Sequence, residues 1–392
     1  MTAPAGGTLS QRSPGRTLAV LHPVFALTGI CHSIGGPLLP SLTSIFHLND
    51  SQAGVLLFAY YSGTSLGALL CGRHHVRTLT LGFLALTGAC LGVTVAGRML
   101  LYPVFLLLGI CVGAPMTAVT MQAGRTFGTR SAAALTFLNF SWSAGALIAP
   151  LLAARLLLGH TFRAAYVVLA GAALVAALAC LLLLKEEPEH APATAPASGL
   201  LHLRFVALFA VLTFLEVGVE NTSGSWLATY VLRTSGAGAA MAAASSSIYW
   251  FSFLASRGIS SLVLLRVDAA RLLRIAIVAG MIGAVALLAL PGTSGHVAAM
   301  MILGAALAPI FPLLLAIFFA HARHSSDSRW VLSLCGFGGS VLPWCTGWVS
   351  GQTGSLRFGL ITIPAALLLM ISLLPMLASW TAVPRTASPA DR

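Results

Sequence analysis

Residues 185–204 read KEEPEHAPATAPASGLLHLR, the widest polar interruption in a 392-residue chain otherwise made of long apolar runs. The charged head Lys185-Glu186-Glu187-Pro188-Glu189 and the Pro/Ala stretch behind it suit a linker rather than a buried element. Before it, apolar windows fall at 17–42, 52–72, 78–97, 100–122, 132–155 and 164–184. After it they fall at 205–232, 238–264, 273–291, 296–320, 330–351 and 357–380. A bilayer-crossing helix needs about 20 predominantly apolar residues, so each window is long enough to span. The expected fold is therefore all-α and membrane-embedded, with twelve transmembrane helices in two six-helix halves, 17–184 and 205–380. The linker 185–204 joins them, and polar tails 1–16 and 381–392 flank them.

Composition agrees with this division. Hydrophobic residues make up 58% of the chain and charged residues only 8%, with a mean hydropathy of +0.93. A soluble domain carries about 25% charged residues, so soluble enzymes are excluded on surface chemistry alone. The first apolar run is too long for a signal-peptide core and is taken as the first span. The seven cysteines are scattered through apolar stretches without a C-x-x-C pair, which argues for small buried side chains and against a disulfide framework or a metal site.

The net charge of +12 would suggest nucleic acid in a soluble protein. Sorting the basic residues by the side on which they fall gives a different explanation. With the N-terminus inside, fifteen lie on the inner side (Arg12, Arg16, Arg73, Arg77, Arg125, Arg130, Lys185, Arg204, Arg266, Arg271, Arg274, Arg323, Arg329, Arg385, Arg392) and five outside (Arg98, Arg155, Arg163, Arg233, Arg357). That bias follows the positive-inside rule and predicts a protein of the cytoplasmic membrane with both termini cytoplasmic. The basic charge sets topology, and the expected partners are the bilayer and a small-molecule substrate, with no nucleic acid. A monomer without a cofactor is expected.

The halves carry matching landmarks. Gly145 to Pro150 in the fifth span has the glycine-to-proline spacing of Gly338 to Pro343 in the eleventh. Tyr60-Tyr61 precede Arg77 at the same offset by which Tyr249-Trp250 precede Arg266. Two matches at equivalent places argue for duplication.

At this level the chain resembles the major facilitator superfamily over nearly its whole length. Within it, LEVGVE at 215–220 followed by WLATY at 226–230 resembles the seventh-span pattern of the fucose permease and sodium-dependent glucose transporter branch. FHLNDSQAG at 46–54, GAALAPIFP at 304–312 and the segment from Gly338 to Trp344 are similar to that branch as well. The resemblance implies alternating access by rocking of two halves about a central site, with cation-coupled sugar symport as the activity. Departures are present. In the loop signature after span two, Cys71 stands where the family has aspartate, which puts the usual gating salt bridge of that loop in doubt. Glu216 stands where the branch commonly has tyrosine. GALIAPLLAA at 145–154 is a distant echo of the antiporter signature.

Of nine acidic residues, Asp50, Glu186, Glu187, Glu189, Asp268, Asp327 and Asp391 fall in loops or tails, leaving Glu216 and Glu220 inside a span. At 1.5 Å per residue they sit roughly 18 to 24 Å beyond Arg204, near the midplane, and their spacing puts them on one helix face. An ionised carboxylate at that depth costs a few kcal/mol, so the pair should face a cavity or hold a proton. They are the candidate ion-coupling residues, for a proton or for sodium; the alternative is a simple hydrogen bond to a neighbouring backbone. Behind them, Asn221, the Thr222-Ser223-Gly224-Ser225 stretch and Trp226 suggest a locally unwound helix whose free carbonyls bind a cation or hydroxyl. Close helix packing explains the small residues equally well. Arg257 is the basic residue inside a span, about 13 Å from the inner surface, placed either to pair with Glu216 or a substrate or to snorkel.

The N-terminal half offers His32, Tyr61, Gln122, Asn139 and Trp142 as substrate-binding candidates. Asn139 and Trp142 are three apart, an amide beside an indole, which suits hydroxyls and the C–H face of a sugar. Trp250 and Trp344 are candidates for the opposite wall. Each tryptophan is also readable as packing or an interfacial anchor, and His32 as a bond to a neighbouring helix. No spacing of nucleophile, base and orienting group suggests an enzyme. The leading expectation is a proton- or sodium-coupled symporter of a neutral sugar or polyol; the alternative is a proton-coupled exporter of a lipophilic drug or metabolite.

Overall fold

A computed structural model describes residues 14–127, 131–159, 161–186, 200–321 and 327–381. Most of both polar tails and of the expected linker lies outside the described residues, as do Arg12, Arg130, Arg323, Arg385, Arg392, Glu187, Glu189 and Asp391; residues 14–16 of the first tail already belong to the first helix.

The described residues form fifteen helices grouped into twelve passes. The first pass is split into α1 (Pro14–Ser33) and α2 (Gly35–Ile45), followed by α3 (Asp50–Leu69), α4 (His75–Val95), α5 (Leu101–Phe127), α6 (Ser131–Leu157) and α7 (Phe162–Leu183). The second half runs α8 (Leu200–Ser235), α9 (Ala239–Val263), α10 (Ala269–Ala289), a split pass α11 (Gly292–Leu307) and α12 (Ile310–His321), then α13 (Asp327–Thr353) and a last pass made of the single turn α14 (Leu356–Gly359) and α15 (Thr362–Thr381). Eight passes are apolar enough to cross a bilayer on composition alone; α3, α8, α9 and α13 are the four that are not. Those four all lie on the interface between the two halves, where α2 and α6 join them.

The breaks follow proline chemistry. Pro37 has no N–H to give the Ser33 carbonyl, and the first pass is interrupted between them. In the tenth pass Pro309 leaves the Ala305 carbonyl without its helical donor, and Ser256 of α9 supplies one at 2.6 Å. Helix starts are fixed by caps: Asn49 and Gln52 form a reciprocal capping box at α3, and Asp268 accepts from Ala270 and Arg271 at α10.

In lipid the hydrophobic effect does little to hold one helix to another, so contact depends on close packing of small residues. Gly145 of α6 lies against the Ala26 carbonyl of α1 with no room for a Cβ, and Gly338 of α13 lies the same way against Phe214 of α8. Gly109 of α5 meets the Tyr60 carbonyl as Gly304 of α11 meets that of Tyr249. The sequence landmarks thus occupy equivalent contacts in the two halves. Helices α4, α7, α10 and α15 are peripheral and expose Leu84, Val175, Ile282, Leu368 and similar side chains, the apolar belt expected against hydrocarbon.

Candidate functional site

Where α1, α3, α6, α8 and α9 approach one another at mid-depth, polar side chains from both halves converge. Glu216 and Glu220 lie one turn apart on α8, 0% and 8% exposed, with Arg257 of α9 as their common electrostatic neighbour. Neither carboxyl oxygen of Glu216 has a hydrogen bond of normal geometry. Arg257 points across to the other half: its Nη1 donates to Ser143 Oγ of α6 at 2.9 Å. Its guanidinium stacks 4.5 Å from the Phe253 ring centre and 5.9 Å from that of Trp142. Trp142 and Trp250 meet edge to face at 6.1 Å across the interface.

His32 of α1 is packed between Tyr61 and Trp142, with ring centres 5.3 and 5.5 Å away. Its Nε2 faces Asn221 Oδ1 at 3.4 Å, and the Asn221 amide donates to the Gly339 carbonyl at 3.4 Å. That carbonyl is the one Pro343 leaves without a helical donor, so Asn221 completes α13 while touching the first half. Tyr61 bonds Ser225 at 2.9 Å, a further link between the halves, whereas Tyr60 turns inward to the Cys31 carbonyl.

The cluster is short of partners. His32 Nδ1, Trp142 Nε1, Trp250 Nε1, the Tyr249 hydroxyl and Arg257 Nε are buried without a hydrogen bond, and the Glu216 oxygens have none of normal geometry beyond their approach to Glu220. Buried polar groups are almost always paired, so unpaired donors and acceptors gathered between the two halves make this cluster the candidate ligand-binding centre.

Other sequence candidates lie elsewhere. Trp226 is fully buried with its indole N–H on the Pro343 carbonyl at 3.1 Å, a bond inside the second half. Trp344 is 38% exposed and packs edge-on to Phe58. Gln122 is buried near the linker and donates to the Lys185 carbonyl at 3.1 Å. Asn139 is exposed and its amide bonds Leu135 of its own helix, so it does not stand beside Trp142 in the cluster. The expected unwinding after Glu220 does not occur: α8 runs unbroken through Thr222–Ser225, and the helix keeps its own carbonyls occupied. Sequence reasoning missed Ser143 and Tyr249 as polar members of the cluster. Tyr249 was visible as the repeat counterpart of Tyr60; Ser143 gave no signal.

The two ends of the interface differ. At the end bearing Asp50, α3 and α13 touch through Gly54 and Gly347, and α2 and α8 through Gly36 and Gly224. There Arg233 of α8 makes a bidentate pair with Asp50 at 2.6 and 2.7 Å, and Ser350 of α13 donates to the same carboxylate at 2.5 Å. Toward the linker, the face that carries Ser143 continues to exposed Asn139 and the face that carries Arg257 to exposed Ser261. At the Asp50 end the halves are thus joined by backbone contact and an ion pair, while toward the linker α13 and α3 still meet at Gly336 and Ser65.

Known proteins agree with this architecture. The chain is 23% identical over 376 residues to a glucose/galactose transporter of Brucella abortus, covering 88% of this chain and 90% of the relative. A bacterial homologue of the human lysosomal transporter Spinster superposes with a TM-score of 0.71 at 14% identity, covering 94% of this chain and 97% of the other. The E. coli fucose:proton symporter superposes with a TM-score of 0.61 at 18% identity, covering 93% and 99%. The description "Major Facilitator Superfamily" matches residues 21–329, so the chain belongs to that family and is a membrane transporter, not an enzyme.

Proposed function

We propose that the protein is a proton-coupled importer of a neutral hexose or a similar polyol, working by alternating access. The observation that carries this reading is the set of unpaired buried polar atoms between the halves. Indole N–H donors, a tyrosine hydroxyl and a carboxylate call for a ligand that both donates and accepts, as a sugar hydroxyl does, while Trp142 and Trp250 offer aromatic faces for its C–H surface. The names of the relatives, glucose/galactose transporter and fucose:proton symporter, point the same way.

Two features favour a proton over sodium. The unbroken α8 offers no free carbonyls for a metal ion, and the Arg257 guanidinium beside Glu216 and Glu220 opposes a second fixed cation. A proton needs one carboxylate oxygen and is carried neutral through the low-dielectric interior. The bias of basic residues toward the linker end supports a cytoplasmic position for that end and an outward-facing Asp50 end.

The test is counterflow of labelled glucose, galactose and fucose in proteoliposomes holding the purified protein. Exchange of at least one hexose, inhibited by the unlabelled sugar, is expected. Absence of hexose or polyol exchange, with efflux of lipophilic cations instead, would replace the reading with the exporter.

A further inference from the structure

The carboxylate of Asp50 joins three helices and both halves at the end of the molecule away from the linker. Asp50 opens α3, where the capping box between Asn49 and Gln52 fixes the backbone that carries it, and Gln52 Oε1 also accepts from Arg98 Nη2 at 3.0 Å. The Arg233 fork comes from the last turn of α8, and the Ser350 hydroxyl from the last turn of α13. The carboxylate side chain is 10% exposed and the guanidinium 43%, so the pair is half-shielded, a setting in which a bidentate charge-assisted bond contributes more than an open surface pair. Directly beneath, Gly54 and Gly347 bring the α3 and α13 backbones together, and a Cβ on Gly347 would lie 2.5 Å from the Asp50 carbonyl.

Asp50 and Arg233 belong to opposite halves, and no rocking motion opens this end without pulling them apart. We propose that Asp50, Arg233 and Ser350 are the gating residues of the transport cycle: an ionic latch that holds this end shut while the other is open, and whose release admits solvent to the central cluster from the Asp50 side. The latch stands apart from the Glu216–Glu220–Arg257 cluster and does not depend on which substrate that cluster takes. The loop after span two, where Cys71 replaces an acid, does not supply it; the latch lies at the opposite end of α3.

Hydrogen–deuterium exchange of the full-length protein in nanodiscs tests this. Asp50→Asn removes the charge while keeping the shape, and the fraction of molecules open at this end should rise roughly five- to tenfold, the range for losing one partly shielded ion pair. Peptides around Asp50, Arg233 and Ser350 should exchange faster, and peptides containing Asn139 and Ser261 at the linker end should exchange more slowly. The charge swap Asp50→Arg with Arg233→Asp should restore the wild-type pattern. Ser350→Ala, which leaves the ion pair in place, should produce the same reciprocal change at smaller amplitude and serves if Asp50→Asn does not fold. Unchanged exchange in the variants, or faster exchange at both ends together, would overturn the proposal, because a merely stabilising pair has no reason to move the two ends in opposite directions.

Discussion

Gly347→Ala should drive the halves apart at the Asp50 end. A methyl group at residue 347 would sit 2.8 Å from Gly54 Cα, 2.5 Å from the Asp50 carbonyl oxygen and 2.9 Å from Trp226 Cζ2. Two of these neighbours are backbone of the opposite half, and ordinary contact begins near 3.4 Å, so α3 and α13 must separate by more than half an ångström. Forcing one extra carbon into a packed contact costs about 1–3 kcal/mol. The part of that cost set by Gly54 and Asp50 falls only on the state in which α3 touches α13, whereas the Trp226 contact lies within the second half and is met in both states. The equilibrium should therefore shift toward opening, at most by about 5- to 150-fold, the same energy expressed as a population ratio. Spin labels carried by unnatural side chains at exposed His47 and Gln352 report the separation by pulsed electron resonance. A longer-distance population should appear in Gly347→Ala and not in Gly88→Ala, where a Cβ meets nothing within 4 Å. A distance distribution identical to wild type in a folded Gly347→Ala protein would refute the argument that this contact is state-specific.

Glu216→Gln keeps the shape and an oxygen acceptor of a fully buried carboxyl but not its titration; it should leave counterflow intact while abolishing stimulation of uptake by a pH gradient. Trp142→Phe and Trp250→Phe keep an aromatic face and delete an unpaired indole N–H. Each should raise the hexose KM roughly three- to tenfold, the worth of one hydrogen bond, as measured by concentration-dependent uptake. Trp226→Phe should do the reverse: loss of its bond to Pro343 should destabilise the second half by about 1 kcal/mol, seen as a lower Tm, with KM unchanged.

How much of this was legible in the sequence depended on which physical signal each residue left. The twelve passes followed from apolar run length. Composition alone, however, marks only eight, because α3, α8, α9 and α13 give up apolar positions to the residues by which the halves meet. Glu216 and Glu220 stood out because acids are rare at that depth, and the structure gathers His32, Tyr61, Trp142, Asn221, Trp250 and Arg257 around or beside them. The polar stretch after Glu220 suggested unwinding, but Ser and Thr side chains are also compatible with an intact helix packed in protein, and α8 stays whole. Asn139 shared a helix face with the cluster, yet its amide is spent on the Leu135 carbonyl, a rotamer choice that spacing does not encode. Asp50 was sorted with the loop acids, but it opens α3 and is buried there. Its partners on α8 and α13 are 183 and 300 residues away in sequence, and only the fold brings them together.

The most direct measurement is hexose accumulation in proteoliposomes under an imposed pH gradient, acid outside, for the wild type and for Glu220→Gln. The wild type should concentrate the sugar above equilibrium without sodium, and Glu220→Gln should equilibrate the same sugar without concentrating it. Accumulation by Glu220→Gln at the wild-type level, or accumulation that follows a sodium gradient and ignores pH, would contradict proton coupling through Glu220.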